Sequence, residues 1–185
     1  MDFMLDIETL GTKPGCAVLA VGCIAFRRST GAIHDEFYQT IDLRTSRKAG
    51  LGIDADTLLW WMKQDREAVQ GAFLNPQTTR PLSEVVETSK QWFMKHRTRE
   101  NAIWCQGMDF DIPIWGRAMA AVGERPPWEF WAGRDTRTAY DLAGFNPRTV
   151  KREGGHHNAL DDARHQIACL RKALDILTGE DFFAP

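Results

Sequence analysis

No charged side chain interrupts residues 17–26, AVLAVGCIAF, so any fold open to this chain must accommodate a long stretch of small and β-branched apolar residues. The run reads as a strand. AIHDEFYQTI, residues 32–41, alternates more nearly with period two and reads as a second strand, joined to the first by the turn RRSTG. With the opening FMLDI they make a three-stranded meander, and connections this short require the neighbours to run antiparallel.

Downstream the apolar period lengthens. DADTLLWWMKQDREAVQGAF, residues 54–73, places Leu58, Leu59, Trp61, Met62 and Val69 as helices broken near Gln64 would, with Asp54 or Asp56 as the opening cap. After the turn NPQTTRP, residues 82–96 put Leu82, Val85, Val86, Trp92 and Phe93 on one helical stripe, with Ser83 available as a cap. NAIWCQG reads as a fourth strand, and IPIWGRAMAAVG as a helix entered through Pro113 and closed near Gly123. WEFWAG reads as a fifth strand, TRTAYDLAGF as a short helix, NPRTVKREGGHH as a loop and NALDDARHQIACLRKALDIL as the long closing helix. Strands followed by alternating helices and strands predict the α/β class: a mixed five-stranded sheet, its first three strands antiparallel, flanked by helices. With 185 residues and 43% hydrophobic content, one domain over residues 1–185 is expected.

The tryptophans, Trp60, Trp61, Trp92, Trp104, Trp115, Trp128 and Trp131, fall mostly at positions that would face a core, which leaves one or two at most for stacking on a base. Cys16, Cys23, Cys105 and Cys169 have no C-x-x-C spacing and read as reduced packing thiols. No apolar run approaches a membrane span, and the sixth residue is already an acid, so a soluble, cytoplasmic protein without a membrane partner is expected. A net charge of −2, from 23 basic and 25 acidic side chains, excludes a molecule that binds nucleic acid through bulk charge. Any phosphate-binding surface must be local. The candidates are RTSRK, with Arg44, Arg47 and Lys48, and the segment 134–152, with Arg134, Arg137, Arg148, Lys151 and Arg152; a solvated loop explains either equally well.

Acids gather at three places. In MLDIETLGT, Asp6 and Glu8 occupy alternate positions at the end of a strand and so share a face, where like charges repel unless a cation lies between them. MDFDIPIW offers Asp109 and Asp111 where the fourth strand gives way to a helix, and GGHHNALDDARH offers His156, His157, Asp161 and Asp162 at the entrance to the last helix. Capping or solvation would account for each group taken alone.

Taken in order, D-x-E on the first strand, F-D after the fourth and H-x-A-x-x-D at the last helix resemble the DEDDh family of 3′–5′ exonucleases, which includes polymerase proofreading subunits, ribonuclease T and oligoribonuclease. The resemblance spans Met4 to about Leu174 and implies a ribonuclease H-like fold. TLLWWMKQ is similar to a branch of compact bacterial and phage enzymes, the DexA and exodeoxyribonuclease VIII-like exonucleases. The match assigns Asp6 and Glu8 to the first motif, Asp111 to the second, and His157 with Asp162 to the third. His156 and Asp161 fit neither offset. One departure stands out: Gly107 occupies the place, four before the aspartate, where many members have asparagine, which alters a substrate contact rather than a metal ligand.

Phosphodiester hydrolysis needs an activated water and neutralisation of charge on the phosphate and the leaving oxygen, and two Mg²⁺ ions about 4 Å apart meet those needs. Hard cations take oxygen ligands, so a carboxylate cage suits them, and Mn²⁺ should substitute. By the resemblance, Asp6 bridges both ions, Glu8 and Asp162 hold the one that activates water, Asp111 supports the other, and His157 is the general base. Gly154 and Gly155 suggest that His157 rides on a mobile loop. Thr9 and Leu10 resemble the residues that touch the terminal nucleotide and wedge against its base, and Arg148, Lys151 and Arg152 are placed to hold phosphates upstream. Asp135 belongs either to the metal shell or to an ion pair with Arg134 or Arg137. The expected partners are 3′ ends of single-stranded DNA or RNA, and a homodimer is allowed. An enzyme limited to short RNA, or a non-cleaving nucleic-acid-binding module on the same fold, are the other readings.

Overall fold

The computed structural model describes residues 1–73, 79–98 and 100–179. The meander forms as the sequence predicts: β1 (Asp2–Thr9), β2 (Val18–Phe26) and β3 (Ile33–Ile41) pair antiparallel, with Asp6 opposite Gly22 and Gly22 opposite Tyr38. Among the described residues the sheet has six strands rather than five, in the order β4-β3-β2-β1-β5-β6. The additional strand, β4 (Thr79–Arg80), lies parallel to β3 at the end of the segment read as a turn, whose residues 75–78 are outside the described residues. β5 (Ile103–Cys105) runs parallel to β1, and β6 (Gly133–Asp135) runs parallel to β5.

WEFWAG is therefore misplaced as a strand. Its aromatic content argued for β structure, yet Phe130 is 93% exposed, and the chain enters the sheet only at Gly133. A Cβ at Gly133 would lie 3.0 Å from the Met108 methyl, so a small residue is what lets the edge strand pass against the helix that begins at Met108.

Helices cover both faces. α1 (Leu43–Lys48) arises where a basic loop was expected: Asp42 caps it and pairs with Arg44, while Arg47 donates to the Leu51 carbonyl, so two of the three cations of RTSRK are engaged locally. α2 (Ala55–Trp61), capped by Asp54, and α3 (Arg66–Phe73) are the pair broken near Gln64. α4 (Leu82–His96) has Pro81 at its cap in place of Ser83, and its first N–H is met by the Thr45 hydroxyl, 2.9 Å away. α5 (Met108–Ala121) begins five residues before Pro113, which sits in its second turn. The carbonyl that Pro113 leaves without its helical partner belongs to Asp109, an exposed residue. α6 (Thr136–Ala143) and α7 (Ala159–Thr178) complete the set, separated by a loop with one 3₁₀ turn at Pro147–Thr149.

Side-chain alternation along β1 sorts the two cores. Phe3, Leu5 and Ile7 face one layer with Phe93, Ile114 and Trp115; Met4 faces the other, with Ile24, Phe26 and the α7 residues Ala163, Ile167 and Leu170. Asp6 and Glu8 share the parity of Met4 and so point to the α7 side. β2 is buried along its whole length, as its unbroken apolar run requires. All four cysteines are buried and free.

The seating of α7 depends on one residue without a side chain. A Cβ on Gly22 would fall 2.5 Å from both the carbonyl carbon and oxygen of Ala159, so the first turn of α7 rests directly on the backbone of β2. Neither backbone has room to yield. Gly22→Ala should therefore lift the start of α7 and destabilise the protein by about 3 kcal/mol, read as a lower urea midpoint. Wild-type stability in that variant would mean that α7 is not seated on β2 in this way.

Candidate active site

β1 and β5 are parallel, and the chain leaves their carboxyl ends in different directions, which opens a cleft there. Asp6 and Glu8 enter it from β1, Asp111 from the first turn of α5 and Asp162 from the first turn of α7, and Gln106, Phe110, Arg137, His157 and Gln166 complete its lining. One carboxylate oxygen from each of Asp6, Glu8 and Asp162 lies within 4.8 Å of the others.

Local structure explains each placement. Pairing of β1 with β5 extends only over Phe3 and Met4, so the N–H of Ile7 finds no strand beside it and donates to Asp111 Oδ1 at 3.2 Å. Asp109, two residues earlier on the helix, is exposed, as a helical turn requires when its neighbour faces inward. At α7 the cap is Asn158, whose Oδ1 accepts from the N–H groups of Leu160 and Asp161. Capping thus makes no demand on Asp162. Asp161 turns away to accept from the Gly155 N–H at 3.0 Å and to pair with Arg164. Gly154, at φ +83°, would carry a Cβ 2.5 Å from Asp161 Cγ, so in this conformation the glycine pair is packed onto α7.

Two placements were not foreseen from sequence. Gln166 lies one turn after Asp162 on the same face of α7 and donates from Nε2 to Asp6 Oδ1 at 2.7 Å, while its Oε1 is buried without a partner. The i,i+4 spacing was the available signal. Asp135 lies outside the cluster of converging acids and makes no ion pair with an arginine among the described residues: its Oδ2 caps α6 through the Thr138 N–H and hydroxyl, and its Oδ1 accepts from the Gly107 N–H.

Burial, and then mutual repulsion, raise the acids. Glu8 is pushed up to about 8 by burial and by Asp111; Asp111 is pushed up to about 8 by burial, although the Ile7 N–H and Arg137 oppose the shift. Asp6 is raised well above the usual range, first by burial and then by Asp111 and Glu8. A guanidinium already answers part of this charge, since Arg152 is turned inward against Asp162. The residues fit a divalent cation: hard oxygen donors, converging and desolvated, with a positive side chain drawn to the same place.

His157 has φ 59°, the one non-glycine with positive φ among the described residues, and its ring meets Trp60 and Trp61 edge-on with centroids 4.9 and 5.9 Å away. Holding a β-carbon residue in the left-handed region costs about 1 kcal/mol or more, a strain characteristic of working side chains. Burial lowers its pKa, so the imidazole is neutral near pH 7. His156 is exposed beside it.

Of the expected substrate contacts, Leu10 is corrected. Its side chain is fully buried, its N–H donates to Ala17 and its carbonyl accepts from Asp54, so neither backbone nor side chain is free for a nucleotide. Thr9 lines a groove of about 840 Å³ that continues from the cleft through Glu8 and Phe110, alongside Trp60. Arg148 and Lys151 are exposed on the loop before His157, whereas Arg152 points to Asp162 rather than outward.

The sequence pattern of the 3′–5′ exoribonuclease Rv2179c-like domain matches residues 1–174. The chain belongs to that family. A phage T4 exodeoxyribonuclease is 25% identical over 163 residues, covering 74% of this chain and 69% of the phage protein. The fold is that of E. coli exonuclease I in complex with a dT13 oligonucleotide (TM-score 0.67, 11% identity, 98% of this chain) and of the nuclease domain of 3′hExo, a DEDDh family member, bound to rAMP (TM-score 0.57, 11% identity, 96% of this chain and 93% of that one). The chain spans 43% of the exonuclease I length. The chain is thus a member of a 3′–5′ exoribonuclease-like family that shares its mixed α/β fold with these two exonucleases.

The raised carboxyl pKa values dictate a pH dependence. Folded Glu8 and Asp111 hold protons up to about 8, whereas free side chains of their kinds titrate at 4.5 and 3.8, so between about 4 and about 8 the folded state binds more protons than the unfolded one. Stability of the metal-free protein should fall as pH rises through that window. The melting temperature should drop from pH about 5 to about 8, and the increment given by saturating Mn²⁺ should grow over the same interval. A flat metal-free profile with a pH-independent increment would mean that the acids are already ionised and compensated.

Proposed function

We propose that this chain, as one domain over residues 1–185, is a cytoplasmic, metal-dependent 3′–5′ exonuclease that removes nucleoside 5′-monophosphates from single-stranded DNA or RNA ends by a two-metal mechanism. The observation that carries the reading is the convergence of Asp6, Glu8 and Asp162 oxygens within 4.8 Å, with Asp111 and His157 lining the same cleft. Asp6, Glu8, Asp162 and Asp111 would hold Mg²⁺ or Mn²⁺. When bound, the ions supply the positive charge that makes water acidic and neutralises the phosphate and the leaving oxygen.

The chain's own groups supply the rest. An imidazole nitrogen of His157 takes the proton from the attacking water, and its lowered pKa leaves it unprotonated and competent near neutrality. Edge contacts with Trp60 and Trp61 fix the ring. The water oxygen bonds to phosphorus as the bond to the upstream 3′ oxygen breaks, and that oxygen leaves with the bonding pair and takes a proton from solvent to become the 3′ hydroxyl of the shortened strand. The groove beside Thr9, Trp60 and Phe110 is large enough for a terminal nucleotide, and exposed Arg148 and Lys151 reach phosphates further upstream. Free, buried cysteines agree with a reducing compartment, and no described helix is long and apolar enough to cross a membrane.

Incubation with Mn²⁺ or Mg²⁺ and 5′-labelled single-stranded DNA and RNA should give a stepwise ladder on at least one of them, blocked by a 3′-phosphate and absent on circular strands. Asp6→Asn, Glu8→Gln and Asp162→Asn should each abolish the ladder and weaken Mn²⁺ binding by calorimetry, because each removes a charged ligand. Full activity with unaltered metal binding in any of them would sink the assignment. For the base, His157→Ala should slow cleavage by about 10²- to 10⁴-fold with metal binding retained, and His156→Ala should do far less. The reverse order would transfer the role to His156.

A further inference from the structure

Arg137 stands where a side chain at position 107 would otherwise be. Gly107 caps α5 with φ +114°, and a Cβ built on it would lie 2.9 Å from Arg137 Nη1 and 3.5 Å from Cζ. The absence of a side chain at 107 is therefore what admits the guanidinium. Asp135 fixes the arrangement, because one carboxylate ties the Gly107 N–H at the start of α5 to the first turn of α6. Arg137, the second residue of α6, and Asp111, the fourth of α5, are thereby aimed into one cleft with Asp6, Glu8 and Asp162.

Despite so many acids nearby, the Arg137 side chain is exposed and its guanidinium makes no ion pair or hydrogen bond among the described residues. Arg152 is the contrast: it is paired with Asp162. Asp109, whose Oδ1 is 3.7 Å from the same Cβ position, does not pair with Arg137 either. A planar fork of donors at the rim of a site for divalent cations lacks only an anion, and a phosphate presented to those cations would supply one in bidentate geometry.

We infer that Arg137 is a catalytic residue that grips the non-bridging oxygens of the phosphate being cut, in the volume vacated at Gly107. This rests on the exonuclease reading. Charge on those oxygens grows along the reaction, so the contact strengthens toward the transition state. It also gives the glycine at 107 a purpose: the contact at the second motif is delivered from α6 instead of from α5.

The test separates the contact from the reading. Wild type, Arg137→Ala, Arg137→Lys and Gly107→Asn are compared for Mn²⁺ affinity, for binding of AMP and dAMP with Mn²⁺ present, and for kcat and KM on a labelled oligonucleotide. Arg137→Ala should leave Mn²⁺ affinity within about twofold, weaken monophosphate binding at least about tenfold, and lower kcat by about 10²- to 10³-fold with a smaller change in KM. Arg137→Lys should recover only part of this, since an ammonium lacks the fork. Gly107→Asn should fall in the same direction by pushing the guanidinium off its place. Unchanged monophosphate binding together with unchanged kcat in Arg137→Ala would overturn the inference while leaving the exonuclease reading intact. Failure of the wild type to release mononucleotides is the separate failure of that reading, and the monophosphate-binding comparison still decides whether Arg137 meets a phosphate.

Discussion

The contact between the backbones of Gly22 and Ala159 is the constraint on which the site depends. It sets α7 against the sheet at the point where β2 pairs with Asp6, so the strand carrying the first acids and the helix carrying Asp162 are held in one frame. Small and apolar residues on the two elements permit it: Ala159 and Ala163 are fully buried, and β2 has no polar side chain along its length. The packing is close because interiors are as dense as organic crystals, and density here fixes the spacing of charges.

Those charges are assembled against their own repulsion. Burial and proximity raise Asp6, Glu8 and Asp111, and the fold absorbs that cost with its favourable contacts elsewhere. Gln166, the Ile7 N–H and Arg152 moderate the cost without removing it. The result is a cleft whose converging carboxylates leave an electrostatic balance that protein groups do not close.

Much of this was legible in the sequence, and the failures have physical causes. Strand parity placed Asp6 and Glu8 on one face, and the spacing of H-x-A-x-x-D singled out Asp162 on a helix that Asn158 caps. The fifth strand was displaced because aromatic residues favour β structure only where they are half buried, and Phe130 is not. Pro113 misled because it sits in the second turn of its helix, where loss of one carbonyl partner is tolerated on an exposed face. Leu10 read as a wedge from its neighbours in sequence, yet the turn after β1 directs it inward. Gln166, and the link from Asp135 to Gly107, belong to tertiary structure: a glutamine on a helix and an aspartate before one carry no mark of what they will touch.

The acids of the cleft come from positions 6, 8, 111 and 162, from the first strand to the last helix. A ribosome releases them in that order, so the cluster of Asp6, Glu8 and Asp162 is completed only once α7 has emerged and docked. On the proposed reading, a half-made chain lacks that cluster for as long as it remains tethered to a particle built largely of RNA.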